Sequence, residues 1–121
     1  MRRNISSGSP YEDAVGYSRA VRLGPHVAVA GTTGRGEDAA TQTRDALARI
    51  EAALREAGAS LNDVVRTRIY VTDISTWPEV GAAHARVFGD VRPVATMVEV
   101  SALIDPGLLV EIEADAYVTG G

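Results

Sequence analysis

RPVATMVEVSALIDPGLLVEIEADAYV, the stretch from Arg92 to Val118, reads as two strands and the turn between them. In its second half, Leu109 to Val118, the residues Val110, Ile112, Ala114, Ala116 and Val118 alternate with Leu109, Glu111, Glu113, Asp115 and Tyr117. A period of two marks a strand with one buried face and one open face. In the first half, Ala95 to Ser101, Val98 and Val100 oppose Met97 and Glu99. Asp105-Pro106-Gly107 supplies the turn chemistry between the two, and Arg92-Pro93 forces an extended approach to the first.

Upstream, the same kind of reading gives the remaining elements. The first seven residues are polar and expected to be loosely held. Gly16 to Arg22 and His26 to Gly31 flank Leu23-Gly24-Pro25 and read as a hairpin. A Gly-rich loop follows from Thr32 to Glu37, and Asp38 then caps a helix that reaches Ala57 and stops at Gly58. Thr43, Leu47, Ile50, Leu54 and Ala57 share one face of that helix. Val64 to Thr72 alternates as a strand, with Val65, Thr67, Ile69 and Val71 on one side and Arg66, Arg68 and Tyr70 on the other. Thr76-Trp77-Pro78-Glu79 has the form of a capping box, opening a second helix that runs to Phe88 and stops at Gly89. The order is β-β-α-β-α-β-β in one α+β domain over residues 1–121, with two helices on one face of a mixed sheet.

Composition narrows the chemistry. At 121 residues, with 45% hydrophobic side chains, the chain buries about two-thirds of its unfolded surface on folding. All 12 basic residues are arginine, so Schiff-base catalysis and a P-loop lysine are excluded. The absence of cysteine removes thiolate nucleophiles and sulfur-ligated metals, and two isolated histidines, His26 and His84, make no zinc signature. Sixteen acids against twelve scattered arginines give a net charge of −4, with no basic face for nucleic acid. No apolar run approaches the ~20 residues of a membrane helix, and no signal core precedes the fold. The expected setting is cytoplasmic, with no membrane or nucleic-acid partner.

The sheet face away from the helices is the informative one. Arg66, Arg68, Glu99, Glu111, Glu113 and Asp115 are interleaved there with Met97, Leu109, Tyr70 and Tyr117. That mixture suits a subunit interface with ion pairs that fix its docking geometry. An ordinary exposed sheet face is the alternative.

Three segments, GYSRAVRLG at Gly16 to Gly24, AVAGTTG at Ala28 to Gly34 and the closing Arg92 to Val118, together resemble the reactive-intermediate deaminase family (Rid, YjgF-like or endoribonuclease L-PSP-like). The resemblance spans Gly16 to Val118 and is most specific at Val110-Glu111-Ile112-Glu113-Ala114. It implies a chorismate-mutase-like fold, a homotrimer with small-molecule clefts between subunits, and hydrolysis of enamine or imine intermediates to 2-oxo acids and ammonia without metal or cofactor. It also implies roles for particular residues. Tyr17 matches the family's cleft tyrosine, Glu111 the glutamate that holds the attacking water, and Gly31 the glycine whose backbone N–H lines the pocket.

Elsewhere the chain departs from the family pattern. Ala30 stands at the family's serine, Gly81 at its asparagine and Met97 at its pocket cysteine, while Ala95, before Thr96, stands at the arginine that clamps the substrate carboxylate. Losing a bidentate charge-assisted pair costs about 2–4 kcal/mol of binding, so activity on 2-iminopropanoate and 2-iminobutanoate is expected to be weak or absent. A substitute cation would be Arg19, two residues beyond Tyr17 on the same strand face, or Arg92 beside Pro93.

Several residues keep two readings. Glu111 is either a water-positioning carboxylate or an ion-pair partner of Arg66 or Arg68, and Tyr17 either packs or contacts ligand. His84 falls on the apolar stripe of the second helix, as a satisfied core histidine or as a residue flanking the cleft. Gly31-Thr32-Thr33-Gly34-Arg35-Gly36 fits neither phosphate-loop pattern and reads as a cleft rim. Three functions follow: an enamine/imine hydrolase, a non-catalytic ligand-binding or regulatory trimer, and an endoribonuclease, which the acidic balance disfavours.

Overall fold

The alternating runs all find places in one six-stranded sheet. The computed structural model describes residues 1–119. In chain order the elements are β1 (Arg2–Ile5), α1 (Pro10–Val15), β2 (Ala20–Leu23), β3 (His26–Thr32), α2 (Ala39–Glu56), β4 (Val64–Val71), α3 (Trp77–Phe88), β5 (Val94–Glu99) and β6 (Val110–Tyr117). Across the sheet the order is β1-β2-β3-β6-β4-β5. Among the described residues only β4 and β5 pair in parallel; β6 lies between β3 and β4, antiparallel to both, and β5 is an edge.

One face is packed and the other is open. Val27, Val29, Ile69, Val71, Val110, Ile112, Ala114 and Ala116 are buried against Leu47, Ile50 and Leu54 of α2 and Val80 and Phe88 of α3. Each large side chain so buried contributes about 1.5–3 kcal/mol before the entropy of ordering it. At the start of α2, Asp38 accepts the Thr41 N–H at 2.8 Å. At its end, Gly58 takes a φ of 79°, in the left-handed region that lets the chain leave the helix.

The structure corrects several expectations. The N-terminus is not loose: Arg2–Ile5 pairs antiparallel with Ala20–Leu23, and α1 follows, so among the described residues the strands number six and the α-helices three. Glycine 16 closes α1, and β2 starts only at Ala20. In β4 a register shift between Val64 and Arg66 buries Val64 and leaves Val65 exposed, because the extra residue inverts the alternation. The capping box at Thr76 does not form. Thr76 Oγ donates instead to the Asp73 carbonyl at 2.7 Å, and Asp73 caps a preceding 3₁₀ turn.

Met97 and Glu99 also lie on the helix side. Parallel pairing sets Met97 opposite Ile69 and Glu99 opposite Val71, while Val98 stands beside Tyr70 on the charged face. Alternation in an edge strand with two partly open faces does not say which side is in. Arg92 adopts a φ of 54°, which turns the chain sharply ahead of Pro93 rather than merely extending it.

Candidate functional site

A cleft of about 640 Å³ opens where the β1–α1 segment folds against β2, β3 and α2. That segment is held by one carboxylate. Glu12, buried in α1, accepts the Ser6 hydroxyl at 2.8 Å, the Ser7 N–H at 3.0 Å and the Ser7 hydroxyl. These bonds, those from Ser7 foremost, lower its pKa from 4.5 to about 2. Just beyond α1, the backbone of Arg19 donates to Ile5 O at 2.8 Å and accepts the Ala30 N–H at 2.9 Å, which seats Arg19 between β1 and β3.

Four of the residues singled out from the sequence line this cleft together: Tyr17, Arg19, Gly31 and Glu111. Arg19 Nη1 donates to Gly31 O at 2.7 Å and to Thr32 Oγ1 at 2.9 Å, while Nη2 donates to the Tyr17 hydroxyl at 3.1 Å. The guanidinium carbon lies 5.5 Å from the centre of the Tyr17 ring. Because the Tyr17 oxygen already accepts from Arg19, its own proton is free to donate.

Glu111 projects from β6 across β3. Its carboxylate occupies the space that a side chain at residue 31 would fill: a Cβ on Gly31 would strike Oε2 and come within 2.9 Å of Cδ. Glycine is therefore what admits the carboxylate to the cleft. Burial raises the Glu111 pKa, and Glu113 adds to the rise while Arg19 opposes it.

Among the described residues Glu111 forms no hydrogen bond or salt bridge through its side chain. Among the described residues no side-chain polar atom is buried without a partner, so its oxygens reach solvent. The ion-pair reading falls to its neighbours instead. Arg68 Nη1 lies 3.4 Å from Glu113 and 3.3 Å from Asp115, and the Tyr70 hydroxyl donates to Glu113 at 2.9 Å.

The other sequence-derived candidates lie elsewhere on the chain. His84 sits on the helix side, 2.9 Å from Thr67 Oγ1 and against Phe88, with burial lowering its pKa. Ala95, Thr96 and Met97 are on β5, separated from Glu111 by β4. Ala30 is half-buried in β3, outside the cleft lining, and Arg92 bonds Gly89 O at 3.0 Å.

Sequence reading missed Ser6, Ser7 and Glu12, whereas Thr32, Thr33 and Arg35 of the expected cleft rim do line the cleft. Ser9-Pro10-Tyr11-Glu12 carries the helix-start pattern that could have revealed the missed three. Among the described residues no group of three or more His, Asp or Glu side chains is gathered as metal ligands would be. No helix there is long and apolar enough to cross a membrane.

Comparison with known proteins places this geometry in a wider set. A family model described as Endoribonuclease L-PSP matches residues 9–118. A crystal structure from Mycobacterium tuberculosis, a member of the highly conserved YjgF/YER057c/UK114 family, superposes with a TM-score of 0.97 at 73% identity, over 98% of this chain and 100% of that one. An uncharacterised Streptomyces coelicolor protein is 39% identical, over 95% of this chain and 91% of its own length. A 3-aminoacrylate deaminase from Acinetobacter baylyi is 38% identical, over 67% of this chain and 64% of its own.

Proposed function

The chain belongs to the Endoribonuclease L-PSP family, the YjgF or Rid proteins, and on that premise we propose that it hydrolyses small enamines or imines to oxo compounds and ammonia. One observation carries the reading: the Glu111 carboxylate, unpaired and partly desolvated, shares a cleft with the Tyr17 hydroxyl. The deaminase activity named for the Acinetobacter relative supports the same class of reaction.

The chemistry asked of these residues is modest. An enamine tautomerises to its imine, and water adds to the C=N carbon. Glu111 takes a proton from that water, and its raised pKa makes it the better base for the task. Tyr17 donates a hydrogen bond to the nitrogen or to the developing oxygen. Glu111 passes that proton to the nitrogen, which gives the neutral carbinolamine; it then takes the hydroxyl proton and hands it to the departing nitrogen, so that C=O forms, the C–N bond breaks and ammonia leaves. The working unit is proposed to be a homotrimer, with the cleft closed by a neighbouring subunit.

The test is ammonia release from 2-iminobutanoate generated in solution, with and without the protein. Release above the buffer rate, abolished in Glu111→Gln, is the expected result. Ligand binding without any acceleration would establish the second reading, a non-catalytic binding trimer. That reading is favoured by Ala30 and Ala95, which stand where the resemblance calls for a hydroxyl and a guanidinium. RNA cleavage has the net charge of −4 against it.

A further inference from the structure

We propose that Gln42 is a positioning residue of the cleft, a buried carboxamide that ties two rim loops to α2 and so fixes where Glu111 stands. The inference rests on the cleft being the working site and adds to it what holds that site in shape.

Gln42 belongs to α2, lies outside the cleft lining and is 3% exposed. Its Nε2 donates to Gly36 O at 3.1 Å and to Gly107 O at 3.0 Å, and its Oε1 accepts the Leu109 N–H at 2.8 Å. Gly36 is in the loop after β3, whose Thr33 and Arg35 line the cleft. Gly107 is in the loop before β6, whose Ile104, Asp105 and Leu108 line it from another side. Among the described residues no other side chain bonds both loops.

The place of these bonds gives them their role. The strands β3 and β6 pair as far as Thr32 and Ile112, and among the described residues the ladder ends there. Glu111 comes just before Ile112 and is held on its other side by pairing with Tyr70. Gln42 bonds both chains just past the end of the ladder, and its Leu109 partner is two residues from Glu111. The loop after β3 is fitted to the same spot. A Cβ on Gly34 would strike the Gln42 carbonyl oxygen, and one on Gly36 would come within 2.6 Å of Thr41 Cγ2. The Gly34-Arg35-Gly36 run thus closes directly on α2.

Only a carboxamide suits this position. Two carbonyl oxygens need donors and one N–H needs an acceptor, and a buried polar group must make its bonds or lose its hydration uncompensated. Glutamine satisfies all three in one orientation of its amide. A side chain that merely filled the core would need none of them.

The test sets Gln42→Met, which keeps the length and neutrality but none of the three bonds, against Thr43→Ala. The Thr43 hydroxyl bonds only Ala39 O, within α2. Both variants are read well below their melting temperatures, by a carboxyl-carbon NMR titration of Glu111 and by kcat for ammonia release. Burial raises the Glu111 pKa above 4.5 in the intact fold, and loosened loops admit water to it. Gln42→Met should therefore bring that titration down toward 4.5 and lower kcat about tenfold or more. Thr43→Ala should leave both at their wild-type values.

A folded Gln42→Met with titration and kcat unmoved would reduce Gln42 to a brace, as would equal changes in Thr43→Ala. Should Gln42→Met fail to fold, the wild type decides: its Gln42 Nε2 protons should exchange as slowly as the Leu109 amide, and fast exchange would overturn the inference. A wild type that releases no ammonia would sink the hydrolase reading alone, since the Glu111 titration still decides the role of Gln42.

Discussion

Glu111 stands apart from its neighbours because Arg68 is occupied by Glu113 and Asp115, and because Gly31 leaves room for its carboxylate. The resemblance brought Tyr17, Gly31 and Glu111 forward from the sequence, and expected strand alternation added Arg19, although Tyr17 and Arg19 both precede β2 and meet through the bond between Arg19 Nη2 and the Tyr17 hydroxyl. Which carboxylate Arg68 would choose was not legible, because three acids recur at the same period and only the strand register decides. The unpaired state makes a signed prediction. A carboxyl whose pKa is raised in the fold above its ordinary 4.5 contributes stability that is fully present below that value and lost as pH rises through the folded pKa. At neutral pH the ionised group is therefore a net cost. Glu111→Gln should melt within about 4 °C of wild type or above it at pH 7–8, with any gain vanishing toward pH 4, while turnover falls about a hundredfold or more. A large drop in melting temperature at pH 7 would mark Glu111 as a structural residue and remove the base from the proposed reaction.

Among the elements, α2 and β6 were readable to within a residue or two because their apolar spacing is long and uninterrupted. The N-terminal β1 and α1 were not, since β1 offers four residues with Ile5 as its one buried side chain and α1 is six residues long. Their order comes from pairing with β2 and from the Glu12 carboxylate, neither of which leaves a periodic trace. In β5 the strand was legible but its facing was not, because parallel pairing with β4 rather than apolar content decides it. The Glu12 lock predicts a pH dependence. Its folded pKa, about 2, lies below the ordinary 4.5, so its contribution is fully present above 4.5 and drains away as pH falls toward 2. Glu12→Gln should therefore melt below wild type at pH 7, and the gap should close progressively as pH drops through that window. Amide exchange in residues 6–16 should quicken in the variant at pH 7. A gap that stayed constant from pH 7 to pH 3 would show that the charge is not what holds the segment.

At the scale of the whole molecule, the helices leave one face of the sheet uncovered. Leu23, Val94, Val98 and Tyr117 are exposed, with the Arg68–Glu113–Asp115 cluster and the His26–Tyr117 stack among the strands beside them. Apolar side chains around a satisfied ionic cluster make a surface that can bury area against a copy of itself without stranding a charge. The expected assembly is a trimer of three 12.7 kDa chains at micromolar concentration. Val98 is the place to test it, because it is 41% exposed on a single chain and lies beside Tyr70 on that face. An aspartate there costs an isolated chain little but puts an unpaired charge inside a closed interface. Val98→Asp should therefore shift the light-scattering mass toward one chain while keeping the helical and sheet signal of the fold. A wild-type monomer, or a trimer indifferent to Val98→Asp, would place any contact elsewhere. The cleft itself would survive that result, because Tyr17, Arg19, Gly31 and Glu111 all come from one chain. Only the proposed closing of the cleft by a neighbouring subunit would be lost.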